Sequence, residues 1–382
     1  MTTDAATLPD WPSLRALFPA LKEYAYFGWA ATSPLSTRAA DAMVRHVTET
    51  RDGGAARYRE WYQTYEAARQ EAATLINASP DQIALLKNTG ECLSTIAFGL
   101  DWKSGDNLIL PRGEFPANTY PWLALRDRGV EVRRIEPDEQ GRFTVTDVER
   151  LMDDRTRLLS LSWVNYSTGF RADLAAIGNL CRERGIFFSV DAIQGLGVLP
   201  LDVAITHVDA LSADGHKWLC APEGLAVFYL RREWFNRVQP VTRGWWSVAL
   251  PSRFDLEDQP LADTARRYES GTLPTTNCYG LREALRLLNE IGVVQIAARI
   301  RTLTGRLVEQ LSAKGARIVR AMGENEWSGI VSFAVPDRDP RQLAAELERE
   351  KIIVTPRSGR LRVAVHAWND QHDFERLIAA IF

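Results

Sequence analysis

Two short stretches carry side chains whose types and spacing could do chemistry. Asp191 ends the run Ile186 to Val190 and is followed by Gln194; the run Val208 to Leu211 leads into Asp214, His216 and Lys217. Both runs are short, apolar and β-rich, and both are bounded by turn residues, so they read as buried parallel strands. In open α/β sheets ligands sit beyond the carboxyl ends of such strands. The pattern therefore brings a carboxylate and an amine to one crevice. An isolated lysine is ordinarily a solvated charge or half of an ion pair. Beside a carboxylate at a crevice it can also capture an aldehyde as a Schiff base. The carboxylate would then keep a heterocyclic nitrogen protonated, so that the ring withdraws electrons from a carbanion. Pyridoxal 5'-phosphate is a cofactor that needs those two partners, and Lys217 and Asp191 fit them.

The elements that must position these groups follow from the periodicity. Residues 36–76 are helical in pattern, interrupted once at Gly53-Gly54. From Ile83 a strand runs through Thr89-Gly90 into a helix, a turn that offers free backbone N–H groups and a positive dipole end to an anion. Strands are expected at 108–111, 130–135, 156–164 and 224–230, with a short helix at 148–152. Such alternation predicts an α/β fold, a mostly parallel sheet flanked by helices. Near the N-terminus a helix is expected at 14–18 with Ser13 as its N-cap. Residues 240–274 have little periodicity, and Arg243-Gly-Trp-Trp-Ser within them is a candidate pocket lip. Amphipathic helices over 281–311 then lead into a smaller α+β unit with strands near 330–333, 352–355 and 361–366.

The pattern D-A-x-Q-x-x-G from Asp191 to Gly197, followed by D-G-H-K-W from Asp214 to Trp218, resembles the signature of the class V aminotransferase family. That family includes cysteine desulfurases, kynureninases and isopenicillin N epimerases. The resemblance implies a pyridoxal-phosphate enzyme of fold type I, with a large cofactor-binding domain over 21–258 and a small domain made of 1–20 with 259–382. It implies Lys217 as the Schiff-base lysine, Asp191 on the ring nitrogen, Gln194 on the ring oxygen and His216 on the phosphate. Thr89, Gly90 and Glu91 resemble the family's phosphate-cradling T-x-E segment. Phe115, in E-F-P-A-N, stands where desulfurases carry a histidine and is assigned to stacking on the pyridine face. Asn165, in S-x-V-N-x-x-x-G, matches an Asn near the ring oxygen and substrate. Asp214 replaces a Ser and is assigned to orienting another donor. Tyr268-Glu-Ser-Gly-Thr-Leu-Pro resembles [FY]-E-x-G-T-P, in which Thr272 would reach the phosphate held by a partner subunit, implying a homodimer with shared sites. Arg362, in the closing L-R-V-A, would grip the carboxylate of an amino-acid substrate, with Arg357 as a secondary candidate.

From a common carbanion the outcomes are transamination, β-elimination, racemisation or cleavage of a carbon–carbon bond. No cysteine follows Cys278, so the persulfide-forming nucleophile of desulfurases is not expected, and a C–S or β-eliminating lyase or an aminotransferase is favoured over a desulfurase. An epimerase of the isopenicillin N type and a non-catalytic pyridoxal-phosphate-binding protein are the alternatives.

Composition narrows the partners. A formal net charge of −3 gives no electrostatic case for nucleic acid or an anionic membrane. Gly195-Leu-Gly197 lacks the third glycine of a dinucleotide fingerprint. The four cysteines form no C-x-x-C pair and no metal is expected. The start of the chain lacks an apolar signal segment, and a cytoplasmic location is expected.

Overall fold

The computed structural model describes residues 9–321 and 323–382, so the first eight residues, which bear on the signal-segment reading, lie outside the described ones. Among the described residues thirteen strands run in chain order: β1 Ala25–Tyr26, β2 Ile83–Leu86, β3 Asn107–Pro111, β4 Glu131–Ile135, β5 Thr156–Ser162, β6 Phe187–Asp191, β7 Ala210–Asp214, β8 Ala226–Leu230, β9 Arg317–Ile318, β10 Ile330–Ala334, β11 Ile352–Ile353, β12 Thr355–Arg357 and β13 Arg360–Ala364. The helices are α1 Trp11–Ala16, α2 Thr37–Gly53, α3 Tyr58–Ile76, α4 Thr89–Gly99, α5 Tyr120–Leu123, α6 Val145–Glu149, α7 Leu174–Arg184, α8 Thr275–Ile291, α9 Val293–Ala313, α10 Pro340–Arg349 and α11 Gln371–Ile381.

The large sheet has seven strands in the order β2-β8-β7-β6-β5-β3-β4. Strands β3 to β7 pair in parallel, while β8 lies antiparallel to both β7 and β2. Every residue of β6, β7 and β8 is buried, as a sheet covered on both faces requires. One apolar cluster, including Leu159, Leu161, Val190 and Leu211, packs one face against α3 and α8; a second, with Leu108, Leu158, Phe187 and Phe228, packs the other against α4. The expected mostly parallel sheet flanked by helices is what forms.

A second sheet of four strands, β12-β13-β10-β9, is antiparallel and carries its own core around Phe333, Val363, Leu343 and Phe374. β1 pairs in parallel with β11, which ties residues 25–26 to the C-terminal unit, and α8 packs on α2 and α3 beside the large sheet. Both contacts follow from apolar faces that find their cover far away in sequence.

Helix ends match their chemistry in most places. Asn88 caps α4 by accepting from Glu91 N, Asp173 caps α7, and Asp370 and Asp373 form a reciprocal capping box on α11. The first helix departs from expectation: it starts at Trp11, and Asp10 rather than Ser13 is the cap, its carboxylate accepting from Ser13 N. A carboxylate on the residue before Trp11-Pro outcompetes a hydroxyl that lies inside the first turn.

Candidate active site

Asp191 is the last residue of β6 and Asp214 the last of β7, and these strands are neighbours in parallel register. The chain turns after each of them, so Gln194, His216 and Lys217 arrive at the same edge. A cavity of about 460 Å³ opens there, and Asp191, Gln194, Asp214, His216, Lys217, Thr89, Gly90, Phe115, Arg357 and Arg362 all line it. Arg362 comes from β13 of the second sheet, so the cavity lies between the two sheets.

The electrostatics are those of a dry site. Lys217 is 8 % exposed, and burial lowers its ammonium to about 8, with Asp191 opposing that shift and Arg362 adding to it. Its Nζ lies 5.3 Å from the centroid of the Phe115 ring. Asp191 is fully buried, and burial raises its carboxyl to about 6 against the pull of the Ile193 N–H and of Lys217. Its Oδ1 accepts from Ile193 N at 3.1 Å. Arg362 is 2 % exposed, and burial, with Arg357 nearby, lowers it to about 10. Its Nη1 donates to Tyr166 O at 2.8 Å, while its Nε has no partner among the described residues. A buried guanidinium with an idle donor is a group arranged for an anion that binds later.

Asp214 has a visible task. Its Oδ1 lies 3.0 Å from His216 Nδ1, close enough to fix the orientation of that ring. Its own N–H donates to Thr89 Oγ1 at 3.1 Å, joining the end of β7 to the start of α4. The His216 carbonyl accepts from Ser33 N at 2.8 Å, and the same segment brings Ala30, Ala31 and Thr32 to the cavity wall.

Two expected site residues are placed away from the cavity. Glu91 turns back on the chain, its Oε2 accepting from Lys87 N at 2.6 Å, and the phosphate end of the cavity is lined by Asn88, Thr89 and Gly90 instead. Asn165 does not line the cavity: its Oδ1 accepts from Ser167 N and Thr168 N, a self-closed turn of the kind Asn favours after a strand. That turn does present Tyr166, which lines the cavity and meets the Phe115 ring edge-on at 5.3 Å. Thr272 is exposed and lines a separate depression with Lys87 and Glu91. The suggested lip is also a packed loop, with Trp246 Nε1 donating to the buried Glu269 at 3.0 Å. Asn88 and Tyr166 were missed, although Asn88 has the legible signature of a cap before Thr-Gly-Glu.

The residues present fit pyridoxal phosphate. They supply a buried lysine without an ion-pair partner among the described residues, a carboxylate at the end of the neighbouring strand, an aromatic ring over the lysine, and a helix start with a glycine where a phosphate would lie. No group of three or more His, Cys, Asp or Glu among the described residues could hold a metal ion. The four cysteines are free and buried, and none lines the cavity.

Comparison with known proteins adds the chemistry of relatives. The family profile described as aminotransferase class-V matches residues 25–377. A probable cysteine desulfurase of Methanothermobacter thermautotrophicus is 27 % identical over 95 % of each chain. The apo structure of a cysteine desulfurase from Thermococcus onnurineus NA1 superposes with a TM-score of 0.90 at 25 % identity, covering 99 % of this chain and 98 % of that one. The cystine C–S lyase C-DES, solved with its product cysteine persulfide, shares the fold with a TM-score of 0.90 at 24 % identity, over 95 % and 98 % of the chains.

These relatives overturn the expectation that the chain is not a desulfurase. That reading rested on a cysteine missing from one segment. A thiol there would accept the sulfur in one route of carbon–sulfur cleavage, whereas an eliminating route needs no such thiol, so its absence does not decide against the reaction for which the relatives are named.

Proposed function

Because the chain belongs to the class V aminotransferase family and is a pyridoxal-phosphate enzyme, we propose that it cleaves the carbon–sulfur bond of cysteine or a cystine-like amino acid, as a cysteine desulfurase or C–S lyase. One observation carries the reading: Lys217, Asp191 and the half-satisfied Arg362 converge on one cavity in a chain whose relatives are named for that reaction.

Each residue has a part that its surroundings explain. Lys217 would hold the cofactor covalently and would carry the proton at the substrate Cα; burial lowers its ammonium to about 8, which leaves part of it as free amine near neutral pH. Asp191 would hold the ring nitrogen, where a cation would supply the counter-charge that its burial lacks. Gln194 would hold the ring oxygen. His216, Thr89 and Gly90 would hold the phosphate at the start of α4, and Phe115 would cover the ring. Arg362 grips the substrate carboxylate, with Arg357 at the mouth as an exposed second cation. The cofactor supplies the electron sink that makes Cα acidic and lets a β-sulfur leave.

The decisive test is incubation of holoenzyme with L-cysteine, L-cystine and sulfur-free amino acids, with all products weighed by mass spectrometry. With an external thiol present to take up the zero-valent sulfur, alanine with persulfide or sulfide indicates desulfuration, and pyruvate, ammonia and sulfide without an acceptor indicate elimination. Amine transfer with sulfur retained would sink the proposal. Arg362→Ala should raise KM for the sulfur substrate by about 10- to 100-fold, the worth of a charge-assisted hydrogen bond, while cofactor stays bound.

We place Thr272 at the phosphate of a partner subunit in a homodimer, supported by its exposure in a depression separate from the chain's own cavity. Mixing Thr272→Ala with Lys217→Ala protomers tests this, because a shared site leaves one of the two sites in each mixed dimer free of both changes. Activity no higher than that of either parent would count against sharing. The free cysteines support a reduced, cytoplasmic setting, and no helix among the described residues is long and apolar enough to cross a membrane.

A further inference from the structure

Trp218 directly follows the lysine, is 1 % exposed and does not line the cavity. Its indole Nε1 donates to Gln194 Oε1 at 2.7 Å, and Gln194 does line the cavity. An indole N–H can only donate, so it compels the amide oxygen to face it. The amide nitrogen is thereby turned the other way, where Nε2 donates to Ala30 O at 3.1 Å. One N–H of that NH2 group remains, and the amide that carries it lies at the cavity wall. A flipped amide would set NH2 against the indole N–H and oxygen against the Ala30 carbonyl, losing both bonds.

Trp218 is itself held from the second sheet. Its carbonyl accepts from His366 Nε2 at 3.2 Å, and Ala367 N donates to His366 Nδ1 at 2.8 Å, which settles the tautomer. Complete burial keeps that imidazole neutral. The two rings stack with centroids 5.8 Å apart and planes inclined by 27°. Room for the indole is made by Gly329, where a Cβ would come within 2.4 Å of Trp218 Cη2. The amide orientation in the cavity is thus locked by a chain of contacts that begins in the C-terminal sheet.

The geometry points to Trp218 as a positioning residue that holds Gln194 as a hydrogen-bond donor toward the cofactor's ring oxygen. The identity of that oxygen rests on the pyridoxal-phosphate reading above; the locked amide does not. A fixed donor favours the anionic ring oxygen and so eases loss of the proton shared with the lysine link, which lowers the pH at which the bound chromophore changes colour.

The test is a pH titration of the visible absorbance of the holoenzyme. Trp218→Phe keeps an aromatic ring but removes the donor together with the pyrrole half of the indole, and should raise the midpoint by about half a pH unit; Gln194→Leu should raise it by about one unit. The double variant should match Gln194→Leu alone, because Trp218 acts through Gln194. An unchanged midpoint in Trp218→Phe, or shifts that add in the double variant, would overturn the inference. A second measurement needs neither cofactor nor a folded Trp218 variant. In cofactor-free protein labelled with nitrogen-15, the Trp218 indole proton should exchange slowly with solvent and its resonance should move in Gln194→Leu. A resonance that stays put in that variant would also overturn the inference. Wild-type protein with no chromophore at Lys217 would instead remove the cofactor reading, and the indole measurement alone would then decide the role of Trp218.

Discussion

Lys217→Ala is expected to lower turnover by about 10³-fold or more and to leave nothing for borohydride to trap between protein and cofactor. The expectation follows from burial. A lysine on the surface would stay charged to high pH, whereas Lys217, enclosed beside Phe115 and repelled by Arg362, falls to about 8. Loading of cofactor onto the wild-type apoprotein should therefore speed up about tenfold per pH unit below that value and level off above it. An uptake rate that keeps climbing through pH 10 would show an ordinary lysine. Trapping that survives in Lys217→Ala at another lysine would refute the assignment outright. Lys217→Arg separates charge from nucleophilicity: it keeps a cation in the cavity, yet it should be as inactive as the alanine variant.

Asp191→Asn should cost catalysis and strengthen the fold. Without a carboxylate the ring nitrogen is no longer held protonated, and kcat should fall by about 10²-fold or more. In the cofactor-free protein the same change removes a buried charge. Asp191 has a folded-state value raised to about 6 from 3.8, so the folded state binds this proton more tightly than the unfolded chain. The corresponding stability is fully present below pH 3.8 and is lost as pH rises through 6. Urea melts of the two apoproteins should thus agree at pH 4 and diverge by pH 8, with Asp191→Asn the more stable by about 2 to 3 kcal/mol. Lys217 has the opposite shift, so its own cost is felt as pH falls through 8. Between pH 6 and 8 both groups are ionised in a dry cavity, and the apoprotein should gain most there from taking up its cofactor. Equal melts at every pH would mean that water reaches Asp191, and the strained-carboxylate account would fail.

Much of the site could be read from residue types in order. Asp191 and Lys217 were legible because short apolar runs announce strands, and strands in a covered parallel sheet deliver their next residues to one edge. Phe115, Gln194, His216, Thr89 and Gly90 followed from the same logic with the family resemblance beside it. Glu91 and Asn165 do not line the cavity, for a common reason. Both carry polar side chains beside backbone N–H groups that need acceptors, and local hydrogen bonds to Lys87 N, Ser167 N and Thr168 N engage them. Such competition is invisible in spacing alone, because the same residue at the same position can face the ligand or its own turn. The functional expectation failed differently: a missing cysteine was allowed to speak for every route of carbon–sulfur cleavage, although it bears on only one of them.

What the linear chain determined by itself was periodic or covalent: the alternation that makes a parallel sheet, the strand ends that carry a carboxylate and an amine, and the turn that opens α4. What only tertiary structure decided was convergence over long separations. Arg362 meets Tyr166, β1 joins β11, and His366 reaches the carbonyl of Trp218, all across gaps that no periodicity spans. Those contacts exist because buried donors, acceptors and apolar faces must be satisfied somewhere, and the nearest partner in a packed interior is seldom the nearest in sequence.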